Sequence, residues 1–189
     1  MGKIIITEHI SIDNVIQSPG DINEDTSGNF TFGGWISGYS NTELDDFIKK
    51  IMKNDNDFLF GRKTFDIWEP YWPDNYDVWP EVNTARKYVV SKTKTNSNWK
   101  NTTFINDDIL FELRKLKSKN DKDLVVWGSS VLVDTIINYE LVDEIVLIQY
   151  PIILGCGKRI FLNNQKLTKF SNTLSMATST GVICSIYSK

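Results

Sequence analysis

Three stretches of the chain place small, hydroxyl-bearing or basic residues directly after a predicted strand. In the first, the apolar run 124–127 is followed by Gly128, Ser129 and Ser130, and apolar residues recur at helical spacing from Val131 onward. The two serines are good helix-capping residues. A strand, a small-residue turn and a helix start present backbone N–H groups to an anion, and the glycine lets a phosphate come close. We interpret this stretch as a pyrophosphate-binding site. The alternative is a tight turn that binds no ligand.

Two further strand ends carry similar chemistry. Residues 61–64, Gly-Arg-Lys-Thr, follow the strand 58–60 and begin a helix, and residues 91–92, Ser-Lys, end the strand 86–90. Ends of parallel strands lie on one edge of a sheet, where open α/β sheets bind ligands. Arginine suits a bidentate phosphate contact, and lysine supplies a point charge. We therefore expect a site for a phosphorylated dinucleotide, formed by Gly61, Arg62, Lys63, Thr64, Ser91, Lys92, Gly128, Ser129 and Ser130.

These motifs resemble those of a known family. Residues 61–64 resemble the Gly-Arg-x-Thr motif of dihydrofolate reductases, 91–92 resemble the strand end that contacts the adenosine phosphate in that fold, and 128–130 resemble its Gly-Gly turn. Residues 151–161, Pro-Ile-Ile-Leu-Gly-Cys-Gly-Lys-Arg-Ile-Phe, resemble the Pro…Leu-Gly-x-Gly…Phe signature of the reductase domain of the bifunctional riboflavin-biosynthesis deaminase-reductase.

The resemblance extends over nearly the whole chain. Residues 11–14, Ser-Ile-Asp-Asn, resemble the Ser-Leu-Asp-Gly loop start of the riboflavin-biosynthesis reductases, with Asn14 in place of the usual glycine. The deaminase domain and its Cys/His zinc spacing have no counterpart in the sequence. The chain is therefore similar to a stand-alone member of this reductase group.

What the resemblance implies is NADPH binding. Arg62, Ser91 and Lys92 correspond to the 2′-phosphate side, whereas Lys63 and Thr64, with the turn 128–130, correspond to the pyrophosphate side. The loop 11–35 would close over the nicotinamide and a small-molecule substrate. One departure is Ser129, which stands where classical folate reductases have the second glycine of the turn.

Two carboxylates are candidate catalytic residues. Folate reductases place a carboxylate at the start of the helix after the first loop, and aligning Phe47 puts Glu43 at that place. As a proton relay, Glu43 would act with the cofactor's hydride; the alternative is a first-turn carboxylate that stabilises the helix dipole. Asp13, at the loop start, is the second candidate, and its alternative role is to cap a turn.

Composition bounds the function classes. The chain has 189 residues, of which 41% are hydrophobic and 24% charged, with a formal net charge of −3. This is one domain of ordinary size, spanning 1–189. The charge argues against nucleic acid as a partner, and no apolar run approaches the about 18 residues of a membrane span. The start of the chain lacks a signal-peptide pattern, and the two cysteines are expected to be free, buried thiols in the cytoplasm.

The order of predicted elements gives the fold class. Strands and helices alternate through about residue 150, and 169–176 with 182–187 form a terminal hairpin. We expect a three-layer α/β fold of the dihydrofolate reductase type, with a mostly parallel central sheet and an antiparallel C-terminal hairpin. Helices are expected from Asn41 or Thr42 to about Lys53 and from Asp107 or Asp108. The stretch 68–80 is expected to be an aromatic surface loop followed by a short helix.

Other chemistries have weaker support in the sequence. His9 is the only histidine, so a catalytic triad would have to use it, and a pair with Cys156 rests on no spacing argument. No His/Cys/carboxylate cluster with metal-ligand spacing is present in the sequence. We expect an NADPH-dependent reductase of a small heterocyclic or carbonyl compound. The resemblance also implies a homodimer, because family members often pair in this way. The alternatives are a nucleotide-binding protein of the same fold without turnover and a true dihydrofolate reductase.

Overall fold

The computed structural model describes residues 2–52, 55–163 and 165–189, which contain an eight-stranded sheet with helices on both faces. The strands are β1 (Ile4–Ile10), β2 (Asp57–Gly61), β3 (Lys87–Val90), β4 (Thr102–Ile105), β5 (Leu124–Trp127), β6 (Glu144–Gln149), β7 (Ser171–Ala177) and β8 (Ile183–Ser188). The helices are α1 (Thr42–Met52), α2 (Arg62–Tyr71), α3 (Pro80–Thr84), α4 (Ile109–Lys119) and α5 (Ser130–Asn138).

The strand order in the sheet is β4-β3-β2-β5-β1-β6-β8-β7. All pairings from β4 through to β6 are parallel, whereas β8 runs antiparallel to both β6 and β7. The prediction of a mostly parallel sheet with an antiparallel C-terminal hairpin is confirmed. The parallel strands need crossover connections, and these carry the helices to the two faces of the sheet.

The alternation of side chains along β1 shows how the three layers form. Ile4, Ile6 and Ile10 are buried in one apolar cluster together with side chains of α4 and α5. Ile5 points to the other face, where it packs in clusters that include side chains of α1, α2 and α3. Burial on both faces is typical of parallel sheets, and each buried isoleucine stabilises the fold by about 1.5–3 kcal/mol. The predicted three-layer arrangement is confirmed.

The tryptophans of the stretch 68–80 belong to the core, so the expected surface loop is wrong in this respect. Trp68 lies within α2, and Trp79 is 4% exposed. Both rings contact Trp127 of β5, with centroid distances of 6.1 and 6.2 Å. The indole N–H of Trp79 donates to the Met52 carbonyl oxygen at 3.0 Å, which satisfies the polar end of a buried ring. The predicted short helix after this stretch is confirmed as α3.

Helix α1 begins where the sequence indicates. The Asn41 side-chain oxygen accepts a hydrogen bond from the Leu44 backbone N–H at 2.8 Å, as expected of a capping residue. The predicted end of this helix at Lys53 lies outside the described residues. Of the two candidate caps of α4, the structure uses Asp108, whose carboxylate accepts from the Phe111 backbone N–H.

The long loop between β1 and α1 is anchored to the body of the protein. Val15 forms an isolated bridge with Arg159, in the loop after β6. Trp35 and Phe30 are buried in the core cluster beneath α1, and the Trp35 indole N–H donates to the Gln17 carbonyl oxygen at 2.8 Å. Phe30 and Trp35 therefore fill the edge of the core, whereas Phe32 of the same loop is exposed.

Both cysteines are free, as expected, but only one is buried. Cys184 lies in β8 with no exposed surface, whereas Cys156 is exposed. Its neighbours Gly155 and Gly157 both have positive φ. The chain at this point is a surface turn, and for this reason the expectation of a buried thiol is wrong for Cys156.

Candidate functional site

The three polar strand ends lie side by side. β3, β2 and β5 are adjacent and parallel, so the residues that follow them meet at one edge of the sheet. Ser91 follows β3, Arg62 follows β2 and Gly128 follows β5. This is the edge at which the sequence predicts a ligand.

The turns after β2 and β5 interlock through their glycines. A Cβ atom on Gly61 would lie 2.2 Å from the Ser129 hydroxyl oxygen, and one on Gly128 would lie 2.9 Å from the Thr64 hydroxyl oxygen. Gly128 also has a φ of +68°, a conformation that side chains disfavour. Both glycines are therefore needed for the two turns to pack together, and four of the predicted site residues lie in contact here.

The two helices that begin at this edge have no side-chain caps. Gly61, which precedes α2, has no side chain to act as a cap. Ser129, which precedes α5, makes no side-chain hydrogen bond to the first turn of that helix. The expectation that Ser129 caps α5 is wrong: its side chain packs against Gly61 and makes no hydrogen bond to the first turn of the helix. By contrast, Asn41 and Asp108 cap α1 and α4. The first-turn N–H groups of α2 and α5 thus remain available to an anion.

The basic residues at this edge differ in their contacts. Arg62 forms an ion pair with Asp66 one turn along α2, and Asp66 also accepts from the Lys94 ammonium at 3.0 Å. An anion bound at Arg62 would compete with Asp66 for the guanidinium group. Asp66 would then still have the Lys94 ammonium as its partner. Lys63 and Lys92 are exposed.

Ser91 shapes the turn after β3. Its side chain is buried, and its hydroxyl oxygen accepts from the backbone N–H groups of Thr93 and Lys94 at 3.2 and 2.8 Å. The hydroxyl hydrogen is left to donate. Ser91 therefore holds the loop that presents Lys92.

The structure places Asp13 between two loops. Its carboxylate accepts hydrogen bonds from the Ser11 hydroxyl at 2.7 Å and from the Leu154 and Gly155 backbone N–H groups at 3.1 and 2.9 Å. Burial raises the pKa of Asp13, but these hydrogen bonds outweigh it and hold the pKa below its usual value. The neighbouring Asn14 adopts a φ of +64°, so asparagine fills the place of the family's glycine in a conformation that it tolerates better than most residues.

Glu43 lies exposed at the start of α1. Its carboxylate accepts from the Ser179 backbone N–H at 2.7 Å, in the turn between β7 and β8, and from the Asn41 side-chain amide at 3.2 Å. The Ser179 contact lowers the pKa of Glu43. Both predicted catalytic carboxylates are therefore ionised and hold loops together, and their role in proton transfer stays a prediction.

Glu8 is a polar residue of this region that the sequence reasoning missed. It lies in β1 beside the Gly128 turn, is 5% exposed, and its Oε1 atom has no hydrogen-bond partner among the described residues. Burial raises its pKa well above the usual value, the Gly128 backbone N–H lowers it in part, and Glu24 raises it further. The alternation of side chains along a strand could have indicated that Glu8 is buried, because it puts Glu8 on the same face as Ile4, Ile6 and Ile10.

His9, next along β1, faces the opposite side of the sheet. Its ring lies 5.6 Å from that of Trp127 and 5.7 Å from that of Tyr150, and its Nδ1 atom is 3.0 Å from the Tyr150 hydroxyl. Burial lowers the pKa of His9 to about 4. The imidazole is therefore neutral near pH 7 and forms part of an aromatic wall.

A cavity of about 130 Å³ lies under α1 on this same face. Thr7 of β1, Phe47 and Lys50 of α1 and Trp127 of β5 are among its lining residues. Thr7 and Trp127 line the end of the cavity nearer the β5–α5 turn, whereas Asn56 and Glu144, at the amino ends of β2 and β6, line its other end. A mostly apolar lining with a few polar groups is typical of small-molecule sites.

The described ranges contain neither a membrane-spanning helix nor a cluster of metal ligands. No helix there is long and apolar enough to cross a bilayer. No three His, Cys, Asp or Glu side chains within 2–52, 55–163 and 165–189 are grouped so as to hold a metal ion.

Comparisons with known proteins agree with this architecture. Residues 2–184 match the sequence profile of the RibD C-terminal domain. The chain is 34% identical over 174 residues to the uncharacterized protein YyaP of Bacillus subtilis (strain 168), covering 83% of this chain and 89% of that protein.

Two solved structures have a similar fold. A protein from Shewanella sp. PV-4, assigned provisionally to riboflavin biosynthesis, superimposes with a TM-score of 0.73 at 20% identity, over 100% of this chain and 98% of the other. A pyrimidine reductase-like protein from Corynebacterium diphtheriae gives a TM-score of 0.61 at 13% identity, over 99% of this chain and 91% of the other.

Proposed function

The chain belongs to the RibD C-terminal domain family, and from this premise we propose that it is an NADPH-dependent reductase that transfers a hydride to a small heterocyclic or carbonyl compound, such as a pterin or a pyrimidine. The pyrimidine reductase-like fold neighbour supports the class of substrate.

One observation carries the proposal: two uncapped helix N-termini lie side by side at the ligand-binding edge of the sheet. Their turns are packed so closely that only glycine fits at Gly61, and Gly128 approaches Thr64 in the same way. Each helix N-terminus carries roughly half a positive charge together with free N–H donors. Two of them converging at one place suit a ligand that carries two linked phosphates.

The residues present fit the cofactor. Lys63, Thr64 and the first-turn N–H groups of α2 and α5 would hold the pyrophosphate. Arg62 and Lys92 would hold the 2′-phosphate, with Ser91 holding the loop of Lys92. When bound, the reduced nicotinamide supplies the hydride.

The substrate would occupy the cavity under α1. Trp127 and Phe47 offer flat apolar surfaces to a ring, and Thr7 and Lys50 offer polar contacts. The cavity is small, so a ring system that enters it must displace the Trp127 or Phe47 side chain. We keep Glu43 and Asp13 as proposed relays. Both are ionised and neither lines the cavity, so each would orient water molecules that pass a proton from the solvent to the acceptor.

Titration of the purified protein with NADPH and NADH, followed by calorimetry and nicotinamide fluorescence, tests this function. We expect NADPH to bind more tightly than NADH, and Arg62→Ala to weaken NADPH about tenfold or more, since a charge-assisted hydrogen bond contributes about 1.5–3 kcal/mol. Arg114→Ala, an exposed arginine of α4, is the matched control and should leave binding unchanged. Absence of binding to either cofactor would remove the reductase proposal.

A nucleotide-binding protein without turnover is the second candidate. It is favoured by the contacts of Glu43 and Asp13, because each carboxylate is already engaged by backbone N–H groups. The two candidates differ in one observable: both bind NADPH, but only the reductase oxidises it when pterins, pyrimidines and small carbonyl compounds are supplied. We also propose that the protein pairs as a homodimer, which light scattering would test.

A further inference from the structure

Glu8 is a buried acid whose carboxyl is only partly hydrogen-bonded: the Gly128 backbone N–H is its one partner among the described residues. Its carboxyl lies inside the protein, with the Oε1 atom unpaired among the described residues. A buried polar atom without a hydrogen bond costs about 1–3 kcal/mol. An unpaired group of this kind beside a ligand-binding turn calls for an explanation, and a ligand that supplies the missing hydrogen bond is one.

The place of Glu8 along the sheet edge suggests which part of a ligand it meets. From β3 to β1 the edge carries, in order, Lys92, the α2 N-terminus, the α5 N-terminus and Glu8. The strands β3 and β1 are separated by three inter-strand spacings, roughly 14 Å, which is comparable to the length of an extended dinucleotide. With one phosphate at Lys92 and the pyrophosphate at the two helices, the nicotinamide end falls at β1.

We propose that Glu8 binds the carboxamide of the nicotinamide as a neutral carboxylic acid, donating its O–H to the amide oxygen and accepting an amide N–H. This inference rests on the proposed function. A carboxylic acid and a primary amide each present one donor and one acceptor in the same plane, so the two groups form a pair of matched hydrogen bonds.

The charges around Glu8 favour the neutral form. From the loop after β1 it faces the Glu24 carboxyl, and from the β5–α5 turn it faces the uncharged amide of Gly128. Neither neighbour is a cation. An ionised Glu8 would repel both Glu24 and a pyrophosphate bound at the turn, and this repulsion is strong where water is excluded. Burial accordingly raises the pKa of Glu8.

Binding measurements on three variants test the proposal. Glu8→Gln keeps one donor and one acceptor, Glu8→Leu keeps neither, and Glu140→Gln, at an exposed glutamate after α5, is the control. Each is titrated by calorimetry with NADPH and with 2′-phospho-ADP-ribose, which lacks the nicotinamide. Thermal melting of each variant verifies that it is folded. The carboxyl carbon resonance of Glu8, assigned by its loss in Glu8→Gln, reports the protonation state at pH 7.

We expect Glu8→Leu to bind NADPH about ten- to hundredfold more weakly and to bind 2′-phospho-ADP-ribose as the wild type does. Glu8→Gln and Glu140→Gln should bind NADPH within about threefold of the wild type. The Glu8 resonance should be that of a protonated acid. Unchanged NADPH binding in Glu8→Leu, equal weakening of both ligands, or an ionised Glu8 at pH 7 would overturn the proposal. Failure of the wild type to bind NADPH would instead overturn the proposed function, and this inference with it.

Discussion

The contact between Gly61 and Ser129 gives the sharpest prediction about how the two turns are built. A Cβ atom on residue 61 would lie 2.2 Å from the Ser129 hydroxyl oxygen and 2.5 Å from its Cβ atom. Gly61 itself has a φ of −75°, which any residue adopts. The effect of Gly61→Ala is therefore purely steric. Overpacking of this kind costs about 1–3 kcal/mol.

Ser129→Gly should relieve that clash. Ser129 has a φ of +68°, and a non-glycine residue in this region costs about 1–2 kcal/mol. Glycine removes that strain but loses about 0.5–1 kcal/mol through the entropy of the unfolded chain. The free energy of unfolding of Ser129→Gly should therefore lie within about 1 kcal/mol of the wild-type value. The double variant, Gly61→Ala with Ser129→Gly, should regain most of the stability that Gly61→Ala loses.

Urea denaturation of the four proteins measures the coupling. We expect a coupling free energy of at least about 1 kcal/mol between positions 61 and 129, well above the about 0.3–0.5 kcal/mol scatter of independent sites. The melting temperature of Gly61→Ala should fall by about 2–4 °C for each kcal/mol lost. Additive effects of the two substitutions would refute the reasoning, because they would show that the turns do not touch as described.

Three further predictions concern titration and the two predicted carboxylates. The folded-state pKa of His9 is about 4, which is below the value in the unfolded chain, so the unfolded chain binds the extra proton. The free energy of unfolding should therefore fall by up to about 3 kcal/mol as the pH drops from 6.5 to 4. His9→Gln should flatten this part of the curve of stability against pH. Asp13→Ala should cost about 1–3 kcal/mol in urea denaturation because backbone donors of the loop after β6 lose their acceptor, and Asp46→Ala, an exposed control, should cost little. Glu43→Gln should lower the hydride-transfer rate in stopped-flow assays without changing NADPH affinity, whereas Glu140→Gln should change neither; unchanged turnover would remove Glu43 from the mechanism.

The strand ends and the turns that follow them could be predicted from the sequence because each is formed by residues that are contiguous in the chain. The buried run 124–127, the glycine after it and the helical spacing beyond are all contiguous in the chain. Parallel pairing then brings Ser91, Arg62 and Gly128 to one edge whatever the details of packing. The fold class could be predicted for the same reason.

What the sequence did not reveal depends on contacts between distant residues. The interlocking of Gly61 with Ser129 joins positions 68 residues apart in the chain, and the burial of Trp79 depends on Trp127 across the sheet. The packing of the Ser129 side chain against Gly61 overrides its capping propensity. Glu8 was missed because a single acid in a strand is ordinary in sequence. Only the packing of loop and turn around it shows that its carboxyl is buried and that its Oε1 atom has no partner among the described residues.

The placement of the dinucleotide between the two turns is the central claim, and amide chemical-shift mapping tests it most directly. In a two-dimensional amide NMR spectrum of the full chain, addition of NADPH should shift the backbone N–H resonances of Lys63, Thr64, Ser129 and Ser130 most strongly. Resonances along α4, which packs on one face of the sheet, should hold their positions. Shifts centred on α4 and β4, with the two turns unchanged, would contradict the account.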